Sequence, residues 1–129
     1  MSTSARLTVV DSGEVGYKPV WDYEQWRIAI TNDSPQTHEG CIHIMARHML
    51  TDEAFILLEG QASLLIGSGD HQVEGVERFD MQKGKVYVVH KATWHASITA
   101  AGTKVLIVEN RDTSPANTEK VEVDPSLLG

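Results

Sequence analysis

Short apolar runs separated by turn-forming residues dominate this sequence, and they limit what the chain can fold into. Between residues 7 and 108 the runs are brief, and several alternate apolar with polar residues as half-buried strands do. Clusters of turn residues such as Asn32–Pro35 and Gly67–Asp70 interrupt them. No stretch has the length and 3.6-residue period of a long helix. The pattern predicts an all-β sandwich or barrel of about seven to ten strands.

The order of these runs also predicts local pairing. The run Cys41–His48 is joined by the short link Met49–Asp52 to a run that begins near Glu53, and this arrangement predicts a hairpin. The runs Ala54–Leu58 and Ala62–Ile66 flank a glycine and predict a second hairpin. We expect a barrel core over about residues 20–112 and an extended, polar C-terminal tail over residues 113–129.

Length and charge restrict the class of protein. A chain of 129 residues is typical of a single domain and can bury roughly two-thirds of its unfolded surface. Its net charge is −7, and its 11 basic residues are scattered, so we expect no nucleic-acid partner. No apolar run reaches the roughly 18 residues of a membrane span and no signal peptide is evident, so we expect no membrane partner and a cytoplasmic location.

Cysteine and aromatic residues each leave two interpretations open. Because Cys41 is the single cysteine, the chain has no internal disulfide. We expect Cys41 to be a small buried apolar residue, and the alternative is a nucleophile paired with His43. The aromatic cluster between Tyr17 and Trp26 is expected to pack as core or as a subunit interface, the alternative being a carbohydrate platform.

Six histidines are many for a chain of this length, and two of them fall near a carboxylate in the predicted sheet. The first predicted hairpin would bring His48 within reach of Glu53, and His95 could join them if the sheet closes into a barrel. Two imidazoles and a carboxylate suit a divalent transition metal and leave coordination positions open for water or substrate. The alternative is a hydrogen-bonded polar cluster without metal.

The spacing of these residues resembles the two motifs of the cupin family. His48, four residues, Glu53, six residues and Gly60 match the second half of the first motif. Gly84, five residues, the tripeptide His90-Lys91-Ala92, two residues and His95 match the spacing of the second motif. The resemblance implies an antiparallel double-stranded β-helix, or jelly-roll barrel, with a metal or ligand pocket in its mouth and frequent dimerisation.

The same resemblance implies a ligand set. The resemblance implies that His48, Glu53 and His95 bind a divalent ion of Fe, Mn, Ni or Zn. Ala46 stands where the first motif has another histidine, and His90 is a candidate extra ligand or acid/base group. Strand parity and apolar surroundings predict that four further residues line the pocket: Ile44, Ala46, Phe55 and Leu57.

These observations lead to one functional hypothesis and one alternative. The hypothesis is a homodimeric, metal-dependent enzyme of oxygenase or isomerase type that acts on a small organic molecule. The alternative is a non-catalytic cupin that binds a metabolite or sugar through the same cluster.

Overall fold

The protein is an antiparallel β structure throughout. The computed structural model describes residues 6–128, and within them the chain forms ten strands and two short 3₁₀ helices. The strands are β1 (Gly16–Tyr23), β2 (Trp26–Asn32), β3 (Ile44–His48), β4 (Glu53–Glu59), β5 (Ala62–Ser68), β6 (Gly75–Asp80), β7 (Val86–Val89), β8 (Trp94–Thr99), β9 (Lys104–Asn110) and β10 (Thr118–Glu122). The 3₁₀ helices span Pro35–Thr37 and Pro125–Leu128. No helix within the described residues is long and apolar enough to cross a membrane.

The strands form two five-stranded sheets. The first sheet has the order β1-β2-β9-β4-β7, and the second has the order β10-β3-β8-β5-β6. Most consecutive strands lie in different sheets, so the chain crosses repeatedly between them, as it does in a jelly roll. The predicted all-β, jelly-roll fold class is confirmed.

Both predicted hairpins are wrong, because the paired runs belong to different sheets. Strand β3 lies in the second sheet and β4 in the first, so the link Met49–Asp52 crosses between sheets. Strand β5 then returns to the second sheet through a corner at Gly60, whose φ of 82° favours glycine. A Cβ at Gly60 would lie 2.6 Å from Thr103 Cα, so the corner also requires a close backbone approach. A glycine between apolar runs is compatible with either geometry.

Two apolar clusters lie on opposite faces of the second sheet. Leu64 belongs to the cluster between the sheets and Leu65 to the outer one, as expected for neighbours in a strand. The outer cluster is covered by the C-terminal segment, including Val123, Leu127 and Leu128. Residues 113–129, expected to be an extended tail, therefore contain a paired strand and a helical turn that pack on the barrel.

Two sequence expectations about side-chain burial are corrected by the structure. Cys41, expected to be buried, is exposed, because it lies in the irregular segment before β3. The aromatic cluster was expected to pack as core or as a subunit interface, and the core position is wrong: Trp21, Tyr23 and Trp26 are each more than 40% exposed on β1 and β2.

Candidate metal centre

Three residues far apart in sequence meet where the two sheets face each other. Ala46 pairs with His95 across β3 and β8, and His48 shares the face of Ala46, so both imidazoles project from one side of the second sheet. Glu53 approaches from β4 in the first sheet. Its Oε1 lies 3.1 Å from His48 Nε2 and 3.0 Å from His95 Nε2. The three potential ligand atoms lie within 4.8 Å of one another.

The far side of each imidazole has its own partner. His95 Nδ1 lies 3.0 Å from the carbonyl oxygen of Thr93, and His48 Nδ1 lies 2.9 Å from Thr118 Oγ1. A carbonyl oxygen only accepts hydrogen bonds, so Nδ1 of His95 carries the proton. With Nδ1 held in this way, Nε2 of His95 points towards Glu53. This is the tautomer and orientation that a metal-binding histidine needs.

Glu53 Oε1 is the least satisfied atom of the cluster. It is buried and has no hydrogen-bond partner of ordinary geometry within residues 6–128, although both imidazole nitrogens lie within ion-pair distance. A buried carboxylate oxygen between two imidazole nitrogens requires a compensating positive charge, from either a proton or a metal ion. The donor set and its geometry therefore fit a divalent metal ion.

Protons can supply that charge in the metal-free protein. Burial raises the pKa of Glu53, but the imidazoles of His48 and His95 beside it outweigh burial and hold the pKa at about 2. The Glu53 carboxylate in turn raises the pKa of His48 above its ordinary value, against the opposing effect of burial. The carboxylate is thus ionised and is balanced by a protonated imidazole.

A second buried carboxylate, Glu109, borders this cluster and was not predicted from the sequence. Its Oε1 lies 3.7 Å from His48 Nε2, and its Oε2 accepts a hydrogen bond from the Tyr17 hydroxyl. Burial, followed by the negative charge of Glu53, raises the pKa of Glu109 to about 7. Strand parity carried the missing signal, since Glu109 lies on the same face of β9 as the buried residues Val105 and Ile107.

The predicted pocket residues occupy different positions around the cluster. Phe55 contacts His95 edge to face, with ring centroids 5.9 Å apart, and Leu57 is buried farther along β4. Ala46 is half-buried beside His95. Ile44 shares that face but is 43% exposed.

His90 lies outside the cluster. Its side chain is 80% exposed, and its Nδ1 lies 3.8 Å from Asp52 Oδ2. The preceding residue, Val89, is the one that faces inward and pairs with Glu53 across β4 and β7. His90 therefore does not replace the imidazole that the first cupin motif would have at Ala46.

An apolar cleft of about 360 Å³ adjoins the cluster. Two of its wall residues pair across strands with cluster residues: Ile66 with His95, and Val89 with Glu53. A larger cavity, of about 680 Å³, lies away from the cluster, where β5 begins and β8 ends. Neither the three cluster residues nor their cross-strand partners line that cavity, so its size does not make it the centre of the chemistry.

Comparison with known proteins assigns the chain to a family. A family model described as Ureidoglycolate lyase matches residues 3–128. The chain belongs to the ureidoglycolate lyase family. No curated protein is a significant match to the sequence.

Solved structures agree with a cupin fold for this ureidoglycolate lyase family member. A cupin-2 domain protein from Shewanella frigidimarina has a TM-score of 0.53 and 20% identity, over 78% of this chain and 85% of that one. Streptomyces PAC13, solved with uridine, has a TM-score of 0.63 and 10% identity, over 97% of both chains. Tomato (Solanum lycopersicum) vicilin has a TM-score of 0.51 and 17% identity, over 77% of this chain but only 26% of the vicilin chain. The predicted membership of the cupin superfamily is confirmed.

Proposed function

We propose that this protein is a metal-dependent lyase that acts on a small hydroxy acid of the ureidoglycolate type. The observation that carries the proposal is the buried Glu53 Oε1, which lies about equally far from His48 Nε2 and His95 Nε2. The family model supplies the reaction class and the substrate class. Three protein ligands would leave coordination positions open for a substrate, as in catalytic rather than structural sites.

The residues present suggest how such a substrate would be held. His48, Glu53 and His95 would bind a divalent ion, which would polarise the carboxylate and hydroxyl oxygens of the substrate. Phe55 packs against His95, and Val89 faces inward beside Glu53, so apolar side chains surround the polar centre. Such surroundings exclude water and strengthen the electrostatic interactions within the site.

The reaction balances without an oxidant, a reductant or added water. Ureidoglycolate carries a hydroxyl and a ureido nitrogen on the same carbon. Removing the hydroxyl proton and forming the carbonyl bond breaks the C–N bond, and the departing nitrogen takes up a proton. The products are glyoxylate and urea. A carboxylate substrate also suits a site whose cation would offset the charge of Glu53.

A direct assay tests this proposal. The purified protein is stripped of metal, reloaded separately with Fe(II), Mn(II), Ni(II), Co(II) or Zn(II), and supplied with ureidoglycolate. We expect stoichiometric binding of at least one ion and release of glyoxylate and urea above the spontaneous rate. The variant His95→Ala should lose both properties. The matched control His71→Ala changes a histidine that is 95% exposed and should retain both. Wild-type protein that binds none of the ions contradicts the proposal.

The donor set favours a second candidate, an oxygenase. Two histidines and one carboxylate with open positions are the arrangement of non-haem iron oxygenases. Dioxygen consumption by the Fe(II)-loaded protein, measured with a panel of small organic acids, would favour the oxygenase. Saturable binding of an acid, metabolite or sugar without turnover would instead favour a non-catalytic binding protein.

We further propose that the protein is a homodimer and that it acts in the cytoplasm. An apolar row runs across the outer face of the first sheet and includes Trp21, Val108 and Val88. All three are at least 37% exposed, which supports an association through this face. An exposed, unpaired Cys41 suits a reducing compartment. Light scattering should give twice the chain mass, and Val88→Asp should give the single mass; a monomeric wild type contradicts the dimer.

A further inference from the structure

We propose that Glu109 is a fourth protein ligand to the metal ion held by His48, Glu53 and His95. The inference rests on the proposed metal site. Ala46, which pairs with His95 beside the cluster, has no donor atom, so a fourth protein ligand would come from another strand. Glu109 lies on β9, which pairs with β4, the strand that carries Glu53.

The distances around His48 suit this role. Donor atoms bound to one ion at about 2.0–2.2 Å lie roughly 3.0–3.5 Å apart when they are adjacent. Glu53 Oε1 lies 3.1 Å from His48 Nε2, and Glu109 Oε1 lies 3.7 Å from the same nitrogen. Glu109 is not part of the compact group of three, so its carboxylate would enter the coordination sphere from the His48 side after a small side-chain movement.

Charge also supports a cation between the two carboxylates. Glu53 and Glu109 are both 5% exposed, and both carboxylates lie within ion-pair distance of His48 Nε2. Two buried like charges are costly unless a cation or a proton compensates them. A divalent ion bound by both carboxylates and two neutral imidazoles would give a site with no net charge. This balance would favour a doubly charged ion over a singly charged one.

Tyr17 is the positioning residue in this arrangement. Its hydroxyl donates to Glu109 Oε2, which leaves Oε1 turned towards His48. Hydrogen bonds of this kind orient the ligands of metal sites, and losing one typically weakens metal affinity by about 10–100-fold.

The test measures metal binding rather than activity. Co(II) and Zn(II) affinities are determined by chelator competition for the wild type, Glu109→Gln, Glu109→Ala, Tyr17→Phe and the exposed control Glu122→Gln, and the visible spectrum of bound Co(II) is recorded. We expect both Glu109 variants to bind at least about tenfold more weakly with altered Co(II) spectra, and Tyr17→Phe to bind about 10-fold more weakly. The control should match the wild type.

The outcomes separate this inference from the proposed function. A wild type that binds metal, together with Glu109 variants of unchanged affinity and spectrum, overturns the role of Glu109 and leaves the three-ligand site standing. A wild type that binds neither ion overturns both. Glutamine is nearly isosteric with glutamate and can still accept the Tyr17 hydrogen bond, so Glu109→Gln tests the charge and ligand strength without emptying the position.

Discussion

Glu53 and His95 come from facing sheets, and their side chains meet with Oε1 and Nε2 only 3.0 Å apart. A metal ion bound between them would link the two sheets and would bind the folded state alone. At an ion concentration 100 times Kd, we expect stabilisation of about 2.7 kcal/mol, or roughly 10 °C in Tm. The measurement is a thermal melt of the stripped protein with and without added ion.

The variant His95→Ala provides the comparison for that melt. It removes one ligand and should abolish the metal-dependent increase in Tm, while its own metal-free melting remains measurable. An equal increase in the variant would mean that the ion binds elsewhere on the protein.

The corner at Gly60 gives a prediction about the fold. A methyl group there would meet the backbone of Thr103 at 2.6 Å, in addition to the strain of a positive φ. We expect Gly60→Ala to lower the free energy of unfolding by about 3 kcal/mol. Gly84→Ala is the matched control, because Gly84 has the same φ of 82° but open space around it, and it should cost only about 1 kcal/mol. Equal losses, measured by urea unfolding, would show that the close approach does not matter.

The sequence predicts the fold class well because alternation along strands reflects burial directly. On β4, Glu53, Phe55 and Leu57 are buried and alternate with half-buried neighbours. The sequence does not show which sheet a run joins, since a short link before Glu53 or a glycine at position 60 suits either a hairpin or a crossing between sheets. Pairing such as that of Ala46 with His95 depends on contacts between distant segments and has no local signature.

The candidate site was predictable in part for the same reason. Motif spacing selected His48, Glu53 and His95, which the structure places together, but their role as metal ligands remains a prediction. Glu109 belongs to no motif, and only its position two residues after Ile107 on the same face of β9 marks it as inward-facing. His90 has the chemistry of a ligand, but it follows the end of β7, and Val89 rather than His90 pairs with Glu53.

Arg47 is a buried cation on the outer face of the second sheet, opposite His48. Its Nε and Nη2 donate to Glu119 Oε1 at 2.9 and 2.6 Å, and its guanidinium lies 4.2 Å from the centre of the Trp94 ring. Replacing it by leucine removes the charged hydrogen bonds and the cation–π contact. We expect Arg47→Leu to lower the free energy of unfolding by about 2–3 kcal/mol.

Arg78 is a suitable control for Arg47. It contacts the carboxylates of Glu39 and Asp80, but its side chain is 44% exposed. Exposed ion pairs contribute about 0–1 kcal/mol, so Arg78→Leu should have a small effect in the same urea titration. A comparable loss at both positions would show that burial of Arg47 and its stacking on Trp94 contribute little.

Asp33 should make the stability of the protein sensitive to acid. His38 Nε2 lies 2.7 Å from Asp33 Oδ1, and the Thr99 hydroxyl donates to the same oxygen at 3.0 Å. These contacts lower the pKa of Asp33, and the hydrogen bond from His38 is the main cause. A carboxyl whose pKa is lower in the folded state stabilises the protein above its unfolded value of 3.8, and this contribution is lost as the pH falls through the folded pKa. We therefore expect Asp33→Asn to be less stable than the wild type at pH 6, with the gap closing below pH 3.8. Urea unfolding across this pH range measures the difference in stability between the variant and the wild type, with the exposed-site variant Glu77→Gln as control. A difference that does not change with pH would mean that the lost stability comes from packing rather than from ionisation of Asp33.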